Sequence, residues 1–167
     1  MKISIFKPTK INEILSWVKL DIDREYWSGN TFNERLNFQS FNRHIKRKNL
    51  FPYCCLNQHG ILISYGEIVV KNSKEVTLCR VIVKPDLRRK GIGKIFVKEL
   101  TDLIFRSQKI HKISLNTLGN NIPARKCYLS LGFKEVRVKK NMRLVSNQWV
   151  DLIIMEKINP ILLKRSI

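Results

Sequence analysis

Residues 88–94 read Arg-Arg-Lys-Gly-Ile-Gly-Lys and lie between an apolar run and a helix-forming stretch. Two glycines one residue apart let a ligand come close to the backbone. Amides at a helix start carry the partial positive charge that favours a phosphate. Around the amides of Arg89, Lys90, Gly91, Ile92, Gly93 and Lys94, the side chains of Arg88, Arg89, Lys90 and Lys94 add full charges. The chemistry this spacing suggests is pyrophosphate binding. A dinucleotide-binding unit would place G-x-G-x-x-G directly after the first strand, with an acidic residue about 20 positions on. A P-loop would need G-x-x-x-x-G-K-[ST]. Neither is present, and since a basic glycine turn can also be only a helix entry, its surroundings decide.

Those surroundings contain a strand ending Val83-Lys84-Pro85, followed by Arg88-x-x-Gly91-x-Gly93. One helix and one strand later comes Asn121-Ile122-Pro123-Ala124-Arg125-Lys126-Cys127-Tyr128-Leu129-Ser130-Leu131-Gly132-Phe133. The pair resembles the two signatures of the GNAT superfamily of N-acetyltransferases, [QR]-x-x-G-x-[GA] and N-x-x-A-x-x-x-Y-x-x-x-G-F, in order and distance. The likeness covers residues 61–157 firmly and 1–60 in outline. Trp149 to Met155 resembles the last strand of the branches that acetylate ribosomal proteins and peptide N-termini.

This resemblance implies acetyl-CoA as co-substrate, no metal, and transfer of the acetyl group to a primary amine. The acceptor would be a protein or peptide N-terminus, a lysine, or a small amine such as a polyamine. Backbone groups of Val81, Ile82 and Val83 would pair with the pantetheine arm, and the turn at 88–94 would hold the pyrophosphate. Asn121 would bond the pantetheine amides, and Arg125 and Lys126 are candidates for the 3'-phosphate. Tyr128 stands where the family keeps its general acid, and the Val81 N–H would meet the thioester carbonyl. Where related enzymes carry a basic glutamate in the fifth strand, this chain has Asn116, which cannot accept a proton at neutral pH. Glu67 and Glu75 are the alternative bases, each acting through water; a neutral amine would need neither. Asp21, Asp23 and Glu25 beside Tyr26 and Trp27 form an acidic, aromatic segment suited to a cationic acceptor.

The elements that must position these residues follow from periodicity. Strands are expected at 2–7, 51–56, 61–70, 75–83, 112–117, 133–145 and 148–157. Four helices are expected, at 9–20, 31–44, 91–107 and 122–131, the third with Ile95, Phe96, Leu100, Leu103 and Ile104 on one side. The reading for 21–30 is a loop, and for 158–167 a loose basic tail. The fold class is α/β (α+β), a mixed, mostly antiparallel sheet of six to seven strands flanked by about four helices, in one acetyltransferase domain over residues 1–157.

Composition sets the outer bounds. No apolar run approaches the roughly 20 residues of a membrane span, so a cytoplasmic protein without membrane contact is expected, as monomer or homodimer. Cys54, Cys55, Cys79 and Cys127 show no C-x-x-C spacing and read as neutral thiols. His44, His59 and His111 read as solvated or capping. With 32 Lys and Arg against 13 Asp and Glu, the chain carries a formal charge of +19. Two readings stand: a phosphate-rich partner, or compositional drift in a chain rich in Lys, Ile and Asn. The alternative function is a catalytically weak fold that binds RNA or the ribosome.

Overall fold

The computed structural model describes residues 2–29, 31–32 and 36–163. Seven strands form one sheet: β1 (Lys2–Ile5), β2 (Leu50–Leu56), β3 (Leu62–Val70), β4 (Glu75–Val83), β5 (Lys112–Leu118), β6 (Lys134–Val145) and β7 (Gln148–Ile158). Their order is β1-β2-β3-β4-β5-β7-β6, and every pairing is antiparallel except β4 with β5. Around it lie α1 (Ile11–Trp17), α2 (Asp21–Ser28), α3 (Phe38–Ile45), α4 (Ile92–Arg106), α5 (Ile122–Ser130) and the short α6 (Pro160–Leu163).

Side chains alternate across a strand, so adjacent apolar residues serve opposite faces. Cys54, Leu62 and Val69 pack with Ile11, Ile14, Trp17, Trp27 and Phe41 under α1, α2 and α3. Their neighbours Cys55, Ile63 and Ile68 pack with Phe96, Val97, Leu100 and Ile104 of α4. Covered on both sides, β3 is buried from Leu62 to Val69. Gly66 lies at its centre, where a Cβ would stand 3.0 Å from Phe96 and 3.4 Å from Leu100. This glycine lets α4 seat against the sheet.

Several expectations are corrected. Residues 21–28 form α2 instead of a loop; no apolar stripe announces it, and it is held by burial of Trp27 and by the Asp21–Arg24 ion pair. The helix expected over 31–44 begins at Phe38, where Asn37 and Ser40 close a capping box; residues 33–35 of that expected helix lie outside the described residues. Ile95 is exposed on α4, while Val97 and Phe105 enter the core. At the C-terminal end, Asn159 is buried, donating from its backbone N–H to the His111 carbonyl (2.8 Å) and from Nδ2 to the Ile110 carbonyl (3.0 Å). The chain is therefore tied down through 159; residues 164–167 of the expected tail lie outside the described residues. Among the described residues no helix is long and apolar enough to cross a membrane.

Candidate active site

The parallel pairing of β4 with β5 runs only from Glu75↔Lys112 to Leu78↔Leu115. Beyond it, Cys79–Val83 has no partner strand on that side, and a cavity of about 690 Å³ opens there. Its wall takes Val81, Ile82 and Val83 from β4, and Arg88, Arg89, Gly91, Gly93 and Lys94 from the turn leading into α4. Asn121, Cys127 and Tyr128 belong to the start and body of α5, and Ile22, Asp23, Tyr26 and Trp27 to α2. The sequence-identified segments 81–83, 88–94 and 121–128 thus converge on one cleft.

A short 3-10 turn, Pro85–Leu87, carries the chain from β4 to the basic turn. Arg89 (φ +62) and Gly91 (φ +78) then reverse it into α4. Gly91 caps α4 without a side-chain bond, and the first intrahelical bond runs from the Ile95 N–H to the Gly91 carbonyl. The amides of Ile92, Gly93 and Lys94 therefore lack an acceptor within the helix, as expected of a helix start. A Cβ on Gly91 would meet nothing within 4 Å. Open amides, open space and clustered cations fit a phosphate-bearing ligand. Arg88 bonds the Val83 carbonyl through Nε (3.2 Å) and faces Asp23 of α2 at 3.6 Å. Lys90 and Ile92 do not line the cavity.

Tyr128 is half-buried against Phe133, with ring centroids 5.9 Å apart. Burial pushes its phenol well above the ordinary 10.0, with minor contributions from Cys127 and Cys79, so it is protonated at neutral pH. Asn121 Oδ1 accepts from the Ala124 N–H (3.3 Å), capping α5 at the cavity rim. Arg125 turns away to Glu135 (2.9 and 3.2 Å) and the Gly119 carbonyl (2.9 Å), and does not line the cavity. Lys126 is exposed on α5.

The three residues considered for base chemistry lie off the cavity wall. Glu75 pairs with Lys112 (3.2 Å) at the far end of β4, and Asn116 is exposed on β5. Glu67 is fully buried, and its Oε1 accepts from the Tyr65 hydroxyl (2.7 Å). Its Oε2 meets His44 Nε2 (3.0 Å) and the Arg80 guanidinium. Desolvation raises the Glu67 carboxyl, but the His44 hydrogen bond and the Arg80 charge outweigh it and hold it below the ordinary 4.5. His44 is therefore buried and bonded, where a solvated or capping role was expected. Among the described residues, Asp23 is the one carboxylate on the cavity wall. No group of three His, Cys, Asp or Glu residues among them is arranged to hold a metal.

Sequence reasoning missed Arg80. Between Tyr65↔Ile82 and Glu67↔Cys79, both Arg80 and Val81 oppose the single residue Gly66, which is a β-bulge. Arg80 has φ +49, and its carbonyl accepts from Trp27 Nε1 at 2.8 Å. An arginine inside an apolar strand was the only available signal.

Residues 14–133 match the Acetyltransferase (GNAT) family, and the chain belongs to it. Over 81 residues it is 31% identical to the ribosomal protein bS18-alanine N-acetyltransferase of Salmonella typhimurium, covering 48% of this chain and 54% of that one. Matches to curated relatives span 20% to 66% of those proteins' lengths. A spermidine N-acetyltransferase of Vibrio cholerae, solved with CoA and spermine, superposes over 95% of both chains with a TM-score of 0.81 at 17% identity. The ribosomal-protein-S18-alanine N-acetyltransferase of Escherichia coli superposes with a TM-score of 0.75 at 19% identity, over 95% of this chain and 93% of that one. The mixed, mostly antiparallel sheet is thus the GNAT fold.

Proposed function

We propose that this protein is an acetyl-CoA-dependent N-acetyltransferase whose preferred acceptor is the α-amine of a peptide or protein. The observation that carries the reading is a single cavity running from the cationic start of α4 to the Tyr128 phenol. The neighbour solved with CoA and the bS18-alanine acetylating relatives support the same assignment.

The thioester supplies an activated acetyl group, and the chain supplies position and charge. Amides 92–94 with Arg88, Arg89 and Lys94 hold the pyrophosphate, leaving the β4 backbone at 81–83 to take the pantetheine arm. The Val81 N–H polarises the carbonyl oxygen as the amine nitrogen bonds to the carbonyl carbon. When the C–S bond breaks, the sulfur takes the Tyr128 proton, and the phenol regains one from solvent. The proton leaving the amine goes to water, since Asp23, the one carboxylate on the cavity wall among the described residues, is paired with Arg88 at 3.6 Å.

The test is release of free thiol from acetyl-CoA with a panel of peptides, lysine and polyamines, with the acetylated product identified by mass spectrometry. Acetylated peptide α-amines are expected. Absence of any thermal stabilisation by CoA, together with salt-sensitive RNA binding, would overturn the reading in favour of a binding module.

A further inference from the structure

We infer that Glu67 is a positioning residue: through Arg80 it locks the β4 bulge in the conformation that presents the Val81 amide to the cavity. The inference rests on the acetyltransferase reading for its catalytic consequence, and on geometry for the lock.

Arg80 occupies the left-handed region at φ +49, where a non-glycine residue is uncommon and a long side chain brings no local compensation. Such a conformation persists when the surroundings over-determine it. Here they grip both ends of the residue. The guanidinium is bound by Glu67 of β3 and donates from Nη1 to the Thr31 hydroxyl (2.9 Å), while the carbonyl is held by the Trp27 indole of α2 (2.8 Å). The residues that follow directly, Val81 to Val83, line the cavity.

Glu67 itself is fully buried, with both oxygens engaged by Tyr65, His44 and Arg80. It has no path to an amine, so it does not serve as base. A buried ion pair is a poor source of net stability, because desolvation offsets the attraction, whereas removing one partner strands the other charge. What the pair does supply is direction. The bulge turns residues 80 and 81 out of register with β3, and without the grip on Arg80 an ordinary extended strand would be available to residues 79–83. The lock also joins α2, which walls the acceptor end, to the strand that polarises the thioester.

The test compares Glu67→Gln with wild type in kinetics and in amide hydrogen exchange. The expected result is a turnover loss of about tenfold or more with KM for acetyl-CoA within about threefold, as for loss of an aligned oxyanion donor. The acid limb of the kcat/KM pH profile should stay where it is, and exchange at residues 79–83 should rise about tenfold while residues 112–118 are unchanged. Disappearance of the acid limb would make Glu67 a base and overturn the proposal. Turnover within about twofold of wild type with unchanged exchange would overturn it as well. Should Glu67→Gln fail to fold, Arg80→Lys keeps the charge but loses the multi-point grip, and the same kinetic split and exchange change are expected. If wild type acetylates no amine, the functional reading fails alone, and exchange at 79–83 still decides the lock.

Discussion

Replacing Gly91 by alanine separates the backbone role of the turn from its ligand role. Gly91 sits at φ +78, and an added Cβ would meet no protein atom within 4 Å, so the fold bears only the conformational cost. For an L-residue in the left-handed region that is about 1–2 kcal/mol, or a fall of about 2–8 °C in Tm for a chain of this size. The same Cβ occupies space open to the cavity and would hold a phosphate off the amides of 92–94. At CoA about 100 times Kd, binding contributes about 2.7 kcal/mol, and a tenfold weaker Kd leaves about 1.4 kcal/mol. The CoA-dependent rise in Tm should therefore fall by about half, on top of the lower starting value. Gly60→Ala is the control, since Gly60 has φ +73 and equally open surroundings but lies in the turn between β2 and β3. Melting curves with and without CoA are read for both variants. If Gly91→Ala keeps the whole CoA shift, as Gly60→Ala should, the turn is not the phosphate site.

Tyr128→Phe should leave CoA affinity and Tm near wild type while turnover drops by about 10²- to 10⁴-fold; undiminished turnover would remove the phenol from the reaction. Gly66→Ala should destabilise by about 1–3 kcal/mol, because the 3.0 Å approach to Phe96 forces α4 off the sheet, and denaturant unfolding reads this directly. Because Glu67 is depressed in the folded state, its contribution is present above the unfolded carboxyl value of 4.5 and is lost as pH falls through the lower folded value. Acid unfolding of wild type should accordingly be steeper below about pH 4.5 than that of Glu67→Gln, and equal slopes would show that the carboxyl is not depressed.

The part of the cleft formed by residues 88–94 and 121–128 was legible because its parts are local. The turn at 88–94 and the Asn121–Phe133 segment each bring glycine, cation or cap residues together within a few positions, so spacing alone conveys geometry. The part of the cleft walled by α2 is built from long-range pairs. Trp27 reaches a carbonyl 53 residues away, His44 a carboxylate 23 away, and Arg80 a carboxylate 13 away. The burial of Glu67, read from sequence as a candidate base acting through water, was not legible because alternation in β3 is hidden by burial of both faces, and only its partners explain a carboxylate there. The helix α2 escaped for a related reason: with Trp27 as its one buried residue, it has no apolar stripe to betray it.

With Asp23, ion-paired to Arg88, as the one carboxylate on the cavity wall among the described residues, the proposed transfer favours an acceptor amine that is already neutral. An α-amine with pKa about 7.7–8.0 is roughly 10–15% neutral at pH 7, whereas a lysine at about 10.4 is about 0.04% neutral, a difference of roughly 300-fold in usable nucleophile. The acids of α2, which as a sequence suggested a subsite for a cationic amine, are already engaged. Asp21 binds Arg24, Asp23 faces Arg88, and Glu25 accepts from the Ser146 N–H at 3.0 Å. The engaged acids and the lack of an unpaired carboxylate on the cavity wall among the described residues favour the proposed peptide N-terminus over a polyamine as acceptor.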